Sequence, residues 1–194
     1  ARRKFLKSPS QNGLEILKLV KQLAIISPNV SFTLIADGKE VFHVEATSTL
    51  QERIKDVLHE PYRTKAVPLT FEKEGLSIAG YVALPECAKK TRSGQMLFVN
   101  GRPVTSHVIS YTVKGAYSSS LTSDLHPQFV ISLVIDPERL DVNVHPQKKE
   151  VRFADEEWIR SQLFEAIGFA LFASPNTHLP EQQIESLEST YTSS

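Results

Sequence analysis

The segment 141–153, with the sequence Asp-Val-Asn-Val-His-Pro-Gln-Lys-Lys-Glu-Val-Arg-Phe, contains the residue types best suited to chemistry on a phosphate. Polar residues at positions 141, 143 and 145 alternate with valines, which is the period-2 pattern of a half-buried strand. Pro146 lacks a backbone donor and is expected to end that strand. Lys148 and Lys149 follow in the turn, where an ammonium group on a short, stiff loop could neutralise phosphate charge.

A simpler interpretation of the same segment stays open. Lys148 and Lys149 could both be solvated charges on an exposed loop, as surface lysines usually are. Asn143 and His145 are expected to form local hydrogen bonds that hold the loop, with a direct catalytic role as the alternative. Sequence spacing alone does not choose between these interpretations.

A second group of candidates surrounds a predicted hairpin. Gln95–Val99 predicts a strand, and Asn100-Gly101 is the strongest two-residue hairpin signal because both residues tolerate positive φ. Arg102 follows directly, so its guanidinium is expected to project from the hairpin end, where its fork could donate two hydrogen bonds to a phosphate. The alternative is an arginine paired with a neighbouring carboxylate or left in solvent.

The loop 85–94 precedes that hairpin and is rich in Pro, Lys, Arg, Ser and Gly. Lys89, Lys90 and Arg92 in this loop could extend a basic patch around Arg102, although each alone is more often a solvent-facing charge. Cys87 lies in the same loop without a histidine nearby in sequence, which favours a structural thiol over a nucleophile.

Hydrophobic periodicity predicts four helices and about seven strands. The first helix starts at an Asn12/Glu15 capping box and has one apolar stripe, formed by Ile16, Leu17, Val20, Leu23 and Ala24. The next two helices are Leu50–Leu58 and Ser106–Leu121. The last helix is capped by Asp155 and has a core face of Ile159, Leu163, Ile167 and Leu171. The strands are Val30–Ala36, Glu40–Glu45, Val67–Glu72, Leu76–Leu84, Gln95–Val99, Phe129–Ile135 and the run from Asp141. Strands that interleave with helices and form hairpins predict an α+β fold, a two-layer sandwich with a mixed β-sheet and helices on one face.

Composition excludes several classes of protein. The 194 residues carry 22 basic and 22 acidic side chains, so the chain is not a strongly basic nucleic-acid binder. Residues 174–194 contain three glutamates and no Lys or Arg, which leaves a mildly positive body and predicts a disordered linker. A single cysteine excludes a disulfide framework and fits a reducing compartment. The longest apolar stretches are too short to span a bilayer, so no membrane association is expected.

No complete active site is visible in the sequence. The six histidines lack metal-ligand spacing, so no metal site is expected. There is neither a Walker loop ending in Gly-Lys-Ser/Thr nor a Gly-x-Gly-x-x-Gly segment. The chain alone is therefore not expected to be an active enzyme.

Three segments resemble motifs of the MutL family of DNA mismatch-repair proteins. The segment 141–153 resembles the motif that closes the family's second domain, and Gln95–Arg102 resembles its Phe-Val-Asn-Gly-Arg signature. Ala1–Leu6 is similar to the exit from its ATPase domain. The three occur in the family's order, and the resemblance covers roughly residues 1–173.

The resemblance implies a ribosomal-protein-S5-like transducer domain at residues 11–173, preceded by the end of an ATPase domain at residues 1–10 and followed by the linker 174–194. It implies that ATP and Mg²⁺ are bound mainly by an upstream domain of a weak GHKL-type ATPase, with Lys148 reaching the γ-phosphate. Lys149 is the alternative to Lys148. By the same resemblance, Arg102 would contact DNA.

The implied partners are DNA, a second copy of the parent protein and a mismatch-recognition protein of the MutS type. The implied location is cytoplasmic, on the nucleoid in a bacterium. The neutral net charge supports an alternative function, an S5-like scaffold that binds a protein partner and neither ATP nor DNA. An S5-like domain that binds RNA is a weaker alternative, because the sequence shows no stripe of interleaved basic and aromatic residues.

Overall fold

The computed structural model describes residues 9–58, 62–73, 75–141 and 151–172. The chain divides into two compact units, Ala1–His59 and Glu60–Ser194, and each is described below by itself. The domain boundaries expected from the sequence, at residues 10/11 and 173/174, stay predictions. The predicted linker 174–194 lies outside the described residues.

The first unit contains two helices and one antiparallel hairpin. The hairpin turns through Asp37 and Gly38, which have the positive φ values, 51° and 73°, that a tight turn between paired strands requires. Thr49 caps the second helix by accepting a hydrogen bond from the backbone N–H of Glu52 at 3.2 Å. The elements are α1 (Pro9–Ile26), β1 (Phe32–Ala36), β2 (Lys39–Val44) and α2 (Leu50–Val57).

The predicted start of α1 is wrong. The helix begins at Pro9, three residues before the expected Asn12 cap, because proline fits the first helical position, where its missing N–H is not needed. The predicted apolar stripe of α1 is not uniformly buried. Ala24 is buried, but Ile16 and Leu23 are 51% and 41% exposed, since apolar residues occur on more than one side of this helix.

Arg53 of α2 ties the first unit together. Its side chain is fully buried, and Nη2 donates to the carbonyl oxygens of Pro28 and Val30 at 2.5 and 2.6 Å. Those carbonyls belong to the connection between α1 and β1, which has no partner strand of its own. The Pro28 carbonyl also accepts from the N–H of Thr47 at 2.8 Å, so the buried guanidinium adds to the backbone hydrogen bonds of this loop.

The second unit contains the main sheet and two long helices. Its first four strands are β3 (Ala66–Lys73), β4 (Leu76–Ala83), β5 (Gln95–Val99) and β6 (Arg102–Val104). They are followed by α3 (His107–Ala116), β7 (Phe129–Ile135), β8 (Leu140–Asp141), β9 (Arg152–Phe153) and α4 (Glu156–Phe172). No helix in the described part of the chain is long and apolar enough to cross a membrane.

The five-stranded sheet has the order β3-β4-β7-β5-β6. Only β5 and β7 are parallel within it, and α3 lies in the connection between them. The core is formed by apolar residues of β3, β4, β5 and β7 that pack against the inner faces of α3 and α4. The predicted α+β fold with a mixed sheet is confirmed.

The last helix matches its prediction closely. Asp155 caps it by accepting a hydrogen bond from the N–H of Trp158 at 2.9 Å. All four predicted core residues are fully buried, namely Ile159, Leu163, Ile167 and Leu171. The i, i+4 spacing therefore identified the buried face correctly.

The predicted end of α3 is wrong. Ser106 caps the helix as expected, but the helix ends at Ala116 and not at Leu121. Ser118 has a φ of 48°, which an α-helix cannot contain, and a short 3₁₀ turn follows. The cause is Tyr117, whose ring is fully buried and whose hydroxyl donates to the carbonyl of Ala83 at 2.5 Å.

We expect Tyr117→Phe to lower the free energy of unfolding of the second unit by about 1–2 kcal/mol, because the buried Ala83 carbonyl loses its side-chain donor. The matched control is Tyr111→Phe, since Tyr111 is 71% exposed on the same helix. Trp158 is the only tryptophan of the chain and lies in this unit, so its fluorescence in a urea titration reports the change. Equal stability of the two variants would contradict the structural role of the Tyr117 hydroxyl.

Gly80 lies where β4 approaches β7 most closely. Its φ is 149°, and an added Cβ would lie 2.0 Å from the carbonyl oxygen of Val130. We expect Gly80→Ala to destabilise the second unit by about 3 kcal/mol or more, through the clash and the unfavourable φ. Gly115→Ala is the control, because nothing lies near its Cβ position in α3. There the helix propensity of alanine should stabilise by about 0.5–1 kcal/mol. If the denaturation midpoints of Gly80→Ala and Gly115→Ala shifted in the same direction, the predicted difference between the two positions would be wrong.

Candidate functional site

The segment with the predicted phosphate-contacting lysine is described only at its two ends. Lys148 and Lys149 lie outside the described residues, as do Asn143 and His145. On either side of the segment, β8 and β9 pair antiparallel, with Leu140 opposite Phe153 and Asp141 opposite Arg152. The residues 142–150 therefore connect two strands that lie side by side.

Both ends of this connection are tied to the body of the second unit. Phe153 is 5% exposed and belongs to the hydrophobic core. The N–H of Val151 donates to the carbonyl of Thr105 at 3.1 Å, just after β6. The N–H of Ala154 donates to the carbonyl of Arg139 at 2.9 Å. The base of the connection is thus fixed by core packing and by backbone hydrogen bonds.

Arg139 also contacts the first turn of α4. Its guanidinium carbon lies 4.1 Å from the centre of the Trp158 ring, within the range of a cation–π contact. Asp155 caps that turn through the N–H of Trp158. The 3₁₀ turn that follows β7 is therefore held against the helix that follows β9.

Arg102 projects from the hairpin that the sequence predicted. Asn100 and Gly101 have φ values of 49° and 74°, which is the geometry of the tight turn expected from this dipeptide. Arg102 begins β6 opposite Val99, and its side chain is exposed. Within the described ranges, no carboxylate lies at ion-pair distance from it.

The Asn100 side chain does more than permit the turn. Its Nδ2 donates to the carbonyl of Ile135, and its Oδ1 accepts from the N–H of the same residue, both at 2.9 Å. The N–H of Asn100 donates to the carbonyl of Leu133 at 2.8 Å. The amide therefore extends the parallel β5–β7 ladder by one step past the end of the backbone pairing. The sequence interpretation, in which Asn100 served the turn alone, missed this contact.

Gln128 and Gln95 hold the loop 85–94 and the segment that faces it. Gln128 is 3% exposed, and its Nε2 donates to the carbonyls of His126 and Thr91 at 2.9 and 3.3 Å. Gln95 donates through Nε2 to the carbonyl of Pro127 at 2.8 Å. Gly94 is needed beside them, because a Cβ there would lie 1.9 Å from Oε1 of Gln128.

The basic residues of this loop are exposed and differ in their contacts. The Lys89 ammonium lies 4.8 Å from the centre of the Tyr62 ring. Nη1 of Arg92 lies 3.4 Å from Nδ1 of His107. Lys90 is exposed, with no carboxylate at ion-pair distance among the described residues. Glu86, the loop's single acidic residue, is paired with Lys65 at 2.5 Å, and this contact raises the pKa of Lys65.

The structure does not gather the predicted DNA-contacting residues into one patch. Arg102 lies beside the C-terminal end of β5, whereas Arg92 precedes its N-terminal end and bonds to it through Gln95 N–H at 3.1 Å. Four residue steps along a strand separate these ends by about 13 Å. Two separate basic regions therefore lie along this strand.

Three residues near Arg92 were not singled out in the sequence. His107 begins α3, Lys114 lies two turns further on, and His126 pairs through its backbone with Lys89 at 2.7 and 3.0 Å. Desolvation lowers the pKa of His126, and the charges of Arg92 and Lys114 lower it further. No local spacing signals this group, because its members are brought together only by the sheet topology.

The described residues contain neither a candidate metal centre nor a reactive thiol. The described residues contain no group of three His, Cys, Asp or Glu that could hold a metal ion. Cys87 is 5% exposed, and its burial, with the charge of Glu86, raises the pKa of its thiol. A buried thiol that resists deprotonation is unsuited to nucleophilic attack.

Comparison with known sequences identifies relatives over most of the chain. Residues 54–171 match the family described as DNA mismatch repair protein, C-terminal domain. The DNA mismatch repair protein MutL of Coxiella burnetii is 36% identical over 174 residues, which cover 88% of this chain and 30% of the relative. MutL of Rickettsia prowazekii is 36% identical over 176 residues, with the same two coverages. The chain therefore spans about 30% of the length of these relatives.

Two solved structures share the fold. A crystal structure of the N-terminal domain of a DNA repair protein superposes with a TM-score of 0.65 at 18% identity, over 86% of this chain and 55% of the other. The Aquifex aeolicus MutL ATPase domain complexed with ADP gives 0.54 at 22% identity, over 84% and 51%. At these identities the likeness concerns the fold. Because the family match covers more than half of the residues and relatives are 36% identical, the chain belongs to the MutL family of DNA mismatch repair proteins.

Proposed function

We propose that this chain acts in DNA mismatch repair as the transducer part of a MutL-like ATPase, which couples the ATP state to dimer closure and DNA contact. The observation that carries the proposal is the family match over residues 54–171, which includes both the Arg102 hairpin and the segment 141–153. The proposed partners are DNA, a second copy of the parent protein and a MutS-type protein. In this proposal the chain supplies one contact to an ATPase active site that another region of the parent protein forms.

Lys148 is the residue proposed to contact the γ-phosphate. The anchoring of both ends of its segment supports this role, because a lysine on a fixed base loses less conformational entropy when it meets a phosphate. Its ammonium would neutralise charge that develops during phosphoryl transfer. Loss of the γ-phosphate removes this contact, so ATP hydrolysis would free the Lys148 segment from the nucleotide.

ATP and Mg²⁺ are proposed to bind mainly to a region of the parent protein that these 194 residues do not include. The sequence has no glycine-rich phosphate loop, so this chain would supply one contact and not the whole site. Mg²⁺ would supply charge neutralisation at the phosphates. The role of this chain is to place one further positive charge against the nucleotide.

Arg102 is the residue proposed to contact DNA at the hairpin end. Its exposure and the lack of a carboxylate partner in the described ranges leave its guanidinium free to donate to phosphate oxygens. The tight turn and the Asn100 amide hold the backbone beneath it. Lys89, Lys90 and Arg92 would add a second region of contact at the other end of β5.

The role of Lys148 can be tested in a parent protein that joins this chain to a MutL nucleotide-binding region. We expect Lys148→Ala to lower kcat for ATP hydrolysis by about tenfold or more, since a charge that stabilises the transition state is removed. The matched control is Lys149→Ala, which should leave turnover within about twofold of the unchanged protein. Unchanged turnover for Lys148→Ala, or an equal loss for Lys149→Ala, would exclude Lys148 as the specific contact.

The role of Arg102 can be tested by DNA binding at several salt concentrations. We expect Arg102→Glu to weaken duplex binding and to reduce the slope of log K against log salt by about one, as expected for one lost phosphate contact. Arg160→Glu makes the same charge change at an exposed position on α4 and serves as the control. If the binding isotherm of Arg102→Glu matched that of Arg160→Glu, Arg102 would not be part of the DNA interface. Failure of the unchanged parent protein to bind DNA would favour the protein-scaffold alternative.

A further inference from the structure

We propose that Arg92, His107, Lys114 and His126 form a second DNA-phosphate site, here called the histidine cluster, whose affinity depends on protonation of its two histidines. The proposal rests on the DNA-binding role proposed above, but it concerns a different surface. The cluster lies at the end of β5 that is opposite to Arg102. It would make DNA binding by this chain stronger as the pH falls.

The contact between Arg92 and His107 is the first step of the argument. Nη1 of Arg92 lies 3.4 Å from Nδ1 of His107, and a guanidinium can only donate. Nδ1 must therefore act as an acceptor, so the contact as seen requires a neutral imidazole. Protonation of His107 would place two cations side by side unless an anion lay between them. A phosphate oxygen fits that position, because it can accept from both groups at once.

His126 adds a second imidazole near the charge of Arg92. Its backbone N–H donates to the carbonyl of Lys89 at 2.7 Å and its carbonyl accepts from Lys89 N–H at 3.0 Å, so its position is fixed by the loop. Desolvation is the largest cause that lowers the pKa of His126, and the charges of Arg92 and Lys114 add to it. Asp124 acts in the opposite direction with a smaller effect. The charge of Arg92 therefore acts on the imidazole of His126.

The charges around the cluster are predominantly positive. Lys114 approaches from α3, with its ammonium donating to the carbonyl of Ser123 at 2.6 Å. Asp124 faces His126 from the loop before β7 and accepts from Thr122 Oγ1 at 2.7 Å. Within the described part of the chain, no carboxylate lies at ion-pair distance from Arg92, His107 or His126. A phosphate would therefore supply a counter-charge that no carboxylate now provides at close range.

The direction of the pH dependence follows from linkage. In the free protein, nearby cations and desolvation lower the pKa of His126, so the imidazole is mostly neutral at pH 7. A bound phosphate favours the charged form of a neighbouring imidazole, so DNA binding takes up protons. The added affinity is fully present below the free pKa values and is lost as the pH rises through the bound ones. DNA binding should therefore strengthen as the pH falls from about 8 to about 6.

The test measures binding of a fluorescein-labelled DNA duplex to the 194-residue chain at constant ionic strength. For the unchanged chain we expect affinity to rise by about three- to tenfold between pH 8 and pH 6, as one or two linked protonations allow. The double variant His107→Gln/His126→Gln should lose most of this rise, because neither replacement can take up a proton. The control His43→Gln removes a histidine from the first unit, where it contacts Thr33 and Glu45, and should keep the full rise.

A second measurement follows the histidines directly. NMR titration of the imidazole resonances should show the pKa of His126 rising when the duplex is added. A pH dependence of equal size in the double variant, or a His126 pKa that does not move, would overturn the histidine cluster. Arg102→Glu separates the two proposals, since it should weaken binding at both pH values and keep the rise. Absence of DNA binding by the unchanged chain even at pH 6 and low salt would overturn both.

Discussion

The parallel pairing of β5 with β7 is the contact on which every candidate functional residue of the second unit depends. Backbone pairing ends at Val99 opposite Leu133, and the Asn100 amide then adds one more step by bonding both polar groups of Ile135. The hairpin with Arg102 lies on one side of that step. On the other side, β7 continues into the 3₁₀ turn and β8, which lead to the segment of Lys148. One strand pair thus sets the positions of both proposed phosphate contacts.

Burial of the side chains on the helix-facing side of β7 fixes the register of this strand pair. Phe129, Ile131, Leu133 and Ile135 all face the helices and are at most 4% exposed. Burial of each such side chain contributes roughly 1.5–3 kcal/mol. A slip of one residue would turn all four toward the other face, so the alternative register is strongly disfavoured. Because the Arg102 hairpin follows β5 and the 142–150 connection follows β7, the fixed register of these two strands also fixes the position of the hairpin and of the base of the connection.

Local patterns in the sequence predicted those features that local interactions determine. The Asn-Gly turn, the limits of β7 and the buried face of α4 all follow from dihedral preference or spacing within a few residues. Features that depend on distant contacts were missed. The end of α3 depends on Tyr117 reaching Ala83, 34 positions away, and the Asn100 bond reaches Ile135, 35 positions away. The sequence did not predict the histidine cluster for the same reason, because Arg92 comes near His107 and His126 only when the sheet has formed.

The length of β5 bears on how one DNA duplex could meet both proposed sites. The two ends of β5 are about 13 Å apart, which is close to the width of the major groove of B-DNA, about 12 Å. Two contacts held at a fixed spacing bind one duplex more tightly than either does alone, because the second contact forms within the complex. Since only one of the two contacts contains histidine, a fall in pH would tighten one end of this surface and leave the Arg102 end unchanged.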